Sequence, residues 1–210
     1  VGILISGRGS NMRSLVEAAR QPDYPAKIVA VISNRPDAPG LSWAAGQGVP
    51  TTVVDHKAFA RREDFEGALQ TALLAAGAEL VCCAGFMRLM TPAFVQQWQG
   101  RMLNIHPSLL PAFKGLNAHE QALAAGVKIA GCTVHFVEPE MDSGPIIAQA
   151  AVSVVDGDTP ETLAARILTA EHKLYPHALK LLASGTARLE GRRVAVDNSV
   201  NQPAQLFSPS

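Results

Sequence analysis

The residues with the most chemical potential lie in Asn104-Ile105-His106-Pro107-Ser108-Leu109-Leu110-Pro111 and, about thirty residues on, in Met141-Asp142-Ser143-Gly144. An amide and an imidazole two apart on an extended segment point to the same side. Two donors aimed at one spot are what a developing oxyanion needs. A carboxylate from a loop can orient the imidazole and favour its charged form. Each residue also has a plainer reading. A lone His more often has a structural partner, and Asp-Ser-Gly is ordinary turn chemistry. Pro107 and Pro111 stiffen the loop against the first of these, and Pro111 is a candidate for a cis peptide.

A second candidate is Gly7-Arg8-Gly9-Ser10-Asn11, between an apolar run and a helical pattern. Glycines let the backbone approach an anion, and a helix start offers free N–H groups and a positive dipole end. Met12 stands where G-x-G-x-x-G requires its third glycine, and the P-loop lysine is missing. A single phosphate is therefore the expected ligand, against the alternative of a tight turn with Ser10 as N-cap.

Other polar residues read as structural. His119 and His135 are weaker candidates, and the alternation of His135 with Val134 and Phe136 favours a strand-face role. Glu171-His172 falls inside a helical pattern and reads as a solvated face. Cys82 and Cys83 sit in an apolar run and, with Cys132, read as buried free thiols. No G-x-S-x-G marks a serine nucleophile.

These residues need elements to hold them. Apolar runs at 1–5, 27–32, 51–54, 80–84 and 102–105 read as strands. They alternate with helical patterns to about residue 20 and at 41–47, 61–76 and 92–98, where Phe65, Leu69, Ala72 and Leu73 keep helical spacing. Short connections in such an alternation imply parallel strands in a doubly wound α/β sheet. The strand end carrying Asn104 is where such sheets bind ligands. The second half reads as a helix at 117–125, two strands at 129–137 and 145–155, a helix at 160–183 that Pro176 must kink or split, and a hairpin at 188–196. The two strands suggest an antiparallel excursion in a mostly parallel, single-domain sheet.

Composition narrows the partners. Lys+Arg and Asp+Glu are both 18, which gives no support for binding nucleic acid or an anionic membrane surface. Aromatics at 5% argue against a base-stacking platform. No apolar run approaches the roughly 20 residues of a membrane span. No charged segment precedes the first apolar run, and the cytoplasm is the expected location.

Taken together, 7–11, Ala84-Gly85-Phe86-Met87-Arg88-Leu89-Met90, 104–111 and the Asp142 loop resemble the folate-dependent formyltransferases, in the same order from residue 1 to about 183. Gly9-Ser10-Asn11 and Lys114-Gly115-Leu116-Asn117-Ala118-His119 look like the phosphoribosylglycinamide branch. The methionyl-tRNA branch is similar around Ser-Leu-Leu-Pro and differs just after it. The resemblance implies one formyltransferase domain over 1–196, with a flexible tail over 197–210. It implies transfer of a formyl group from 10-formyltetrahydrofolate to the amine of glycinamide ribonucleotide in purine synthesis, without a metal. Asn104, His106 and Asp142 match the catalytic trio. Gly9, Ser10 and Asn11 match the phosphate loop, and Glu171 a ribose contact. Arg62, Met87, Arg88, Leu89 and Met90 match the folate side, while Val137, Glu138, Pro139, Glu140 and Met141 lead into Asp142 and close over the pterin. Ser143 stands where the family commonly has Gly. The implied partners are these small molecules, with neither nucleic acid nor membrane, for a monomer or homodimer. Two alternatives remain open: formylation of another amine such as a sugar nucleotide, and a non-catalytic phosphate-binding module.

Overall fold

The apolar runs pair as strands, and the helices between them bury one stripe each. The computed structural model describes residues 1–197, so the tail expected over 197–210 lies, from 198 on, outside the described residues. The elements are β1 (Gly2–Ile5), α1 (Ser10–Ala19), β2 (Ala30–Ser33), α2 (Pro39–Gly46), β3 (Thr51–Val53), α3 (Arg62–Ala75), β4 (Val81–Cys83), α4 (Pro92–Gln97) and β5 (Met102–His106). There follow α5 (Ala118–Ala124), β6 (Ile129–Phe136), β7 (Ile146–Ser153), α6 (Pro160–Ala183), β8 (Ala187–Glu190) and β9 (Arg193–Val196). The strand order is β3-β2-β1-β4-β5-β6-β7, with β8 and β9 forming a separate hairpin. This is the mostly parallel, doubly wound arrangement with an antiparallel addition that the sequence leads one to expect.

The chain divides into two compact units. The first comprises Val1–Asn104 with Phe136–Pro139, and the second Ile105–His135 with the described residues from 140 on. In the first unit, β3, β2, β1, β4 and β5 pair in parallel through registers such as Gly2↔Ala30, Gly2↔Val81 and Val81↔Met102. Residues 27–29 precede the Gly2↔Ala30 pair that opens the ladder, so β2 starts later than its apolar run. On α3, Phe65, Leu69 and Leu73 recur every four residues and pack with Leu4, Ile32, Trp98 and Met102. A short 3-10 turn at His56–Ala58, held by Asp55 accepting the Lys57 N–H at 3.0 Å, has no signature in the apolar pattern.

In the second unit, β6 and β7 are antiparallel, with Gly131↔Ala151 and Thr133↔Gln149 in register. A Cβ on Gly131 would lie 2.0 Å from the Ala150 carbonyl oxygen and 2.8 Å from Leu109 Cδ2, so only glycine fits there. Helix α6 opens with a Thr159–Thr162 capping box and Pro160 in its first turn. Asp158 accepts hydrogen bonds from both Arg166 terminal nitrogens (2.7 and 2.9 Å), the Val155 N–H and the Thr162 hydroxyl. These bonds, led by Arg166, hold its carboxyl well below the usual carboxylate range. Pro176 does not split α6, because Tyr175, Ala178 and Leu179 around it are fully buried and packing holds the helix across the missing backbone bond.

Two outcomes follow. Overpacking at Gly131→Ala should cost about 1–3 kcal/mol or more and lower Tm by several degrees in a circular-dichroism melt; an unchanged Tm would contradict the close β6–β7 approach. Asp158→Asn should lower Tm at neutral pH. A depressed folded-state pKa stabilises above the unfolded value of about 4 and ceases to do so as pH falls. The gap to the parent chain should therefore close on acidification below pH 4, and a pH-independent gap would count against the Arg166 bond.

Candidate active site

The first unit carries the glycine loop. It leaves β1 at Ile5 and enters α1 with Gly9, not Ser10, as N-cap. Gly9 takes the left-handed conformation (φ 67°, ψ 41°), and no side chain caps the helix. The first turn holds no acidic residue, so its positive end is not neutralised locally. The Gly7 carbonyl accepts the Gly40 N–H at 3.1 Å. A Cβ at Gly40 would meet Gly7 O at 3.0 Å, which seats the loop closely on α2. A cavity of about 470 Å³ opens over the loop, and Arg8, Arg35, His56 and Arg88 are among its lining residues. Such a surface suits an anion.

The residues of this unit that the resemblance matches to the folate side range from exposed to half-buried. Met87 and Leu89 are 75% and 65% exposed and Arg62 is exposed, while Arg88, Met90, Val137 and Glu138 are half-buried and Pro139 is exposed. Asn104 is half-buried on β5, two residues before His106.

The second unit carries the imidazole and the carboxylate. His106 Nδ1 lies 3.3 Å from Asp142 Oδ2, both side chains being more than nine-tenths buried. Its Nε2 lies 2.9 Å from the Phe113 carbonyl oxygen. Both ring nitrogens thus face acceptors, which the doubly protonated imidazolium satisfies. Asp142 Oδ2 also accepts the Gly115 N–H at 2.9 Å. The residue adopts φ 52°, left-handed backbone that Asp tolerates better than most side chains. Met141 and Glu140 beside it are exposed, and Ser143, in the position where the family commonly has Gly, donates its hydroxyl to the Glu140 carbonyl at 2.7 Å.

The loop after His106 is clamped onto the β6–β7 pair. Thr133 donates to the Ser108 carbonyl (2.7 Å) and accepts the Leu110 N–H (3.0 Å). Gln149 donates to the Leu110 carbonyl and to Thr133. The Leu110–Pro111 peptide is cis.

Three residues escaped the sequence reading. His135 is no plain strand-face residue: its Nε2 lies 3.7 Å from Asp142 Oδ1. Thr133 and Gln149 form the clamp. The available signal was the alternation Gly131, Thr133, His135, which marks one polar face in an otherwise apolar strand. Glu171 corrects the solvated-face reading: it is 6% exposed and falls in the buried stripe Leu163, Ile167, Leu174, Ala178 of α6. Burial first, and then the Glu171 charge, push the Cys132 thiol up to about 12. Burial likewise raises Cys83, and all three thiols are buried and outside any disulfide. Among the described residues no group of three or more His, Cys, Asp or Glu is arranged to hold a metal ion. Nor is any of their helices long and apolar enough to cross a membrane.

The fold is of the doubly wound α/β class, and comparison with known proteins gives the family. Residues 1–179 match the formyl transferase family model, and the chain belongs to that family. It is 40% identical over 195 residues to the phosphoribosylglycinamide formyltransferase of Escherichia coli (strain K12), covering 93% of this chain and 92% of that one. It is 52% identical over 189 residues to the human trifunctional purine biosynthetic protein adenosine-3, of which it spans only 19%. The crystal structure of glycinamide ribonucleotide transformylase 1 from Symbiobacterium toebii superposes with a TM-score of 0.90 at 50% identity, covering 93% of this chain and 92% of that one.

His119 supplies a check on the cluster. Its pKa is lowered, first by burial and then by the charge of His106. Imidazole NMR should show His119 titrating below the usual 6.5. In His106→Asn it should rise only part of the way, since burial remains. An unchanged titration would mean that the two rings do not sense each other.

Proposed function

We propose that the chain transfers the formyl group of 10-formyltetrahydrofolate to the primary amine of glycinamide ribonucleotide, as a step of purine synthesis. The observation that carries the reading is the buried His106–Asp142 pair at 3.3 Å in a chain of the formyl transferase family. The domain doing this is residues 1–196, acting in the cytoplasm as a monomer or homodimer.

The chemistry needs no nucleophile from the protein. The substrate amine attacks the formyl carbon, and the carbonyl electron pair moves onto oxygen. His106 donates from Nε2 to that oxyanion, in place of the Phe113 carbonyl it meets in this structure. Asn104, on the same face of β5, adds its amide as a second donor. Asp142 holds the imidazolium from Nδ1 and, directly or through water, takes the proton released by the amine. Collapse restores the carbonyl and breaks the bond to N10 of the folate, which leaves with a proton. Gly9, Ser10 and Asn11 hold the ribonucleotide phosphate, and Glu171 its ribose. Arg62, Met87, Arg88, Leu89 and Met90, with 137–141, hold the folate.

A transfer assay with both substrates, read by the absorbance of deformylated folate, tests this. Asn104→Ala and His106→Ala should each lose about 10²–10³ in kcat while remaining folded. Asp142→Asn should lose as much and change the pH profile. Parent-like activity in any of the three would overturn the assignment. Ser10→Ala and Asn11→Ala should raise KM for the ribonucleotide and leave that for folate nearly unchanged; equal loss of both would make the loop structural. A panel of amines with one folate donor separates this reaction from formylation of a sugar nucleotide.

A further inference from the structure

The loop 85–91 is suspended at two points by buried polar side chains of its own unit. At its far end Glu66, 4% exposed, accepts the Thr91 N–H at 2.7 Å and the Thr91 hydroxyl. At its near end the anchor is Ser6, 7% exposed, which immediately precedes the glycine loop. The Ser6 N–H donates to the Gly85 carbonyl at 3.2 Å. Its hydroxyl accepts the Met87 N–H at 2.8 Å and donates to Asn34 Oδ1 at 2.6 Å. The bond to Asn34 fixes the hydroxyl proton, so the lone pair that Met87 uses is aimed and not free to rotate. Asn34 is itself 3% exposed, and the His56 Nδ1 lies 2.8 Å from its backbone carbonyl. Ser6, Asn34, His56 and Met87 all line the cavity over the glycine loop.

We propose that Ser6 is a positioning residue that couples the two substrate loops, so that an anion held at residues 9–11 and a folate held on 85–91 each strengthen the other's binding. An anion that orders the glycine loop also orders the residue before it, and the Ser6 hydroxyl passes that order to Met87. Phe86 and Met90 pack against the core, whereas the Met87 and Leu89 side chains are largely exposed, so the Met87 amide is held by the Ser6 hydroxyl and not by packing of its own side chain. Because binding linkage is reciprocal, folate tightens the anion by the same factor. One hydrogen bond supports a coupling of about fivefold. The inference rests on the reading of 9–11 as the phosphate anchor.

The test uses inorganic phosphate and tetrahydrofolate with the ¹⁵N-labelled full chain. In the parent protein, phosphate should shift the amide signals of Ser10, Asn11 and Met87 together and tighten tetrahydrofolate binding about fivefold. In Ser6→Ala, phosphate should still shift Ser10 and Asn11 but not Met87, and the tightening should vanish; Ser6→Thr, which restores a hydroxyl, should recover it. Phosphate binding without a Met87 shift or any tightening in the parent protein would overturn the coupling alone, and needs no variant. Coupling retained in Ser6→Ala would overturn the role of Ser6. Failure of phosphate to shift Ser10 and Asn11 would overturn the anchor reading and the inference with it.

Discussion

The carboxylate of Asp142 is the constraint around which the second unit is organised. A buried charge must be paired and hydrogen-bonded, or it shifts its protonation or unfolds the site. Here one oxygen serves both the Gly115 N–H and His106 Nδ1, and the other faces His135. To bring it there the backbone takes φ 52° at Asp142, and nearby Phe113 and Asn117 are left-handed as well, at 54° and 58°. For a residue such as Phe113 that region costs on the order of 1–2 kcal/mol, and for Asp and Asn less. Such strain persists only where surrounding bonds over-determine it. The Thr133–Gln149 clamp on Ser108 and Leu110 supplies part of that determination.

The glycine loop of the first unit answers to a different constraint, the close approach of backbone to backbone. Gly9 must be left-handed to start α1 without a side-chain cap, and Gly40 must lack a Cβ for α2 to receive the loop. With no side chain capping α1, the first turn of the helix presents its N–H groups and positive dipole end to the cavity over the loop. The sequence alternative of Ser10 as N-cap would have closed that end. The geometry gives that position to Gly9 instead, with no side-chain cap.

Most of the fold was legible because strand and helix periods differ and because the connections are short. The apolar runs, the α3 stripe and the antiparallel addition all follow from pattern alone. What escaped the reading depends on phase or on tertiary partners. Glu171 is buried because it sits in phase with Leu163, Ile167 and Leu174, and reading it as an isolated charged pair with His172 hid that phase. His135 pairs with a carboxylate from a loop whose left-handed residue no local pattern announces. Pro176 was given more weight than packing allows it. The His106–Asp142 distance was beyond any sequence argument, and the 3.3 Å separation turns a spacing into a pair.

The thiols are poor candidates for a nucleophile, which fits the proposed reliance on hydrogen-bond donors. A cysteine nucleophile requires a lowered pKa, and here burial and the Glu171 charge drive Cys132 the other way, while burial raises Cys83. Such thiols stay protonated and pack as core. The proposed transfer then depends on donors fixed before the charge develops, which is where a buried and pre-oriented imidazole has its greatest effect. The Phe113 carbonyl oxygen, 2.9 Å from His106 Nε2, marks the direction in which that donor is already aimed. An incoming oxyanion replaces a neutral acceptor with a charged one along the same line. In the proposed reaction the donor meets an oxyanion in the transition state and only a neutral formyl oxygen in the bound substrate, and that difference is the condition for catalysis over mere binding.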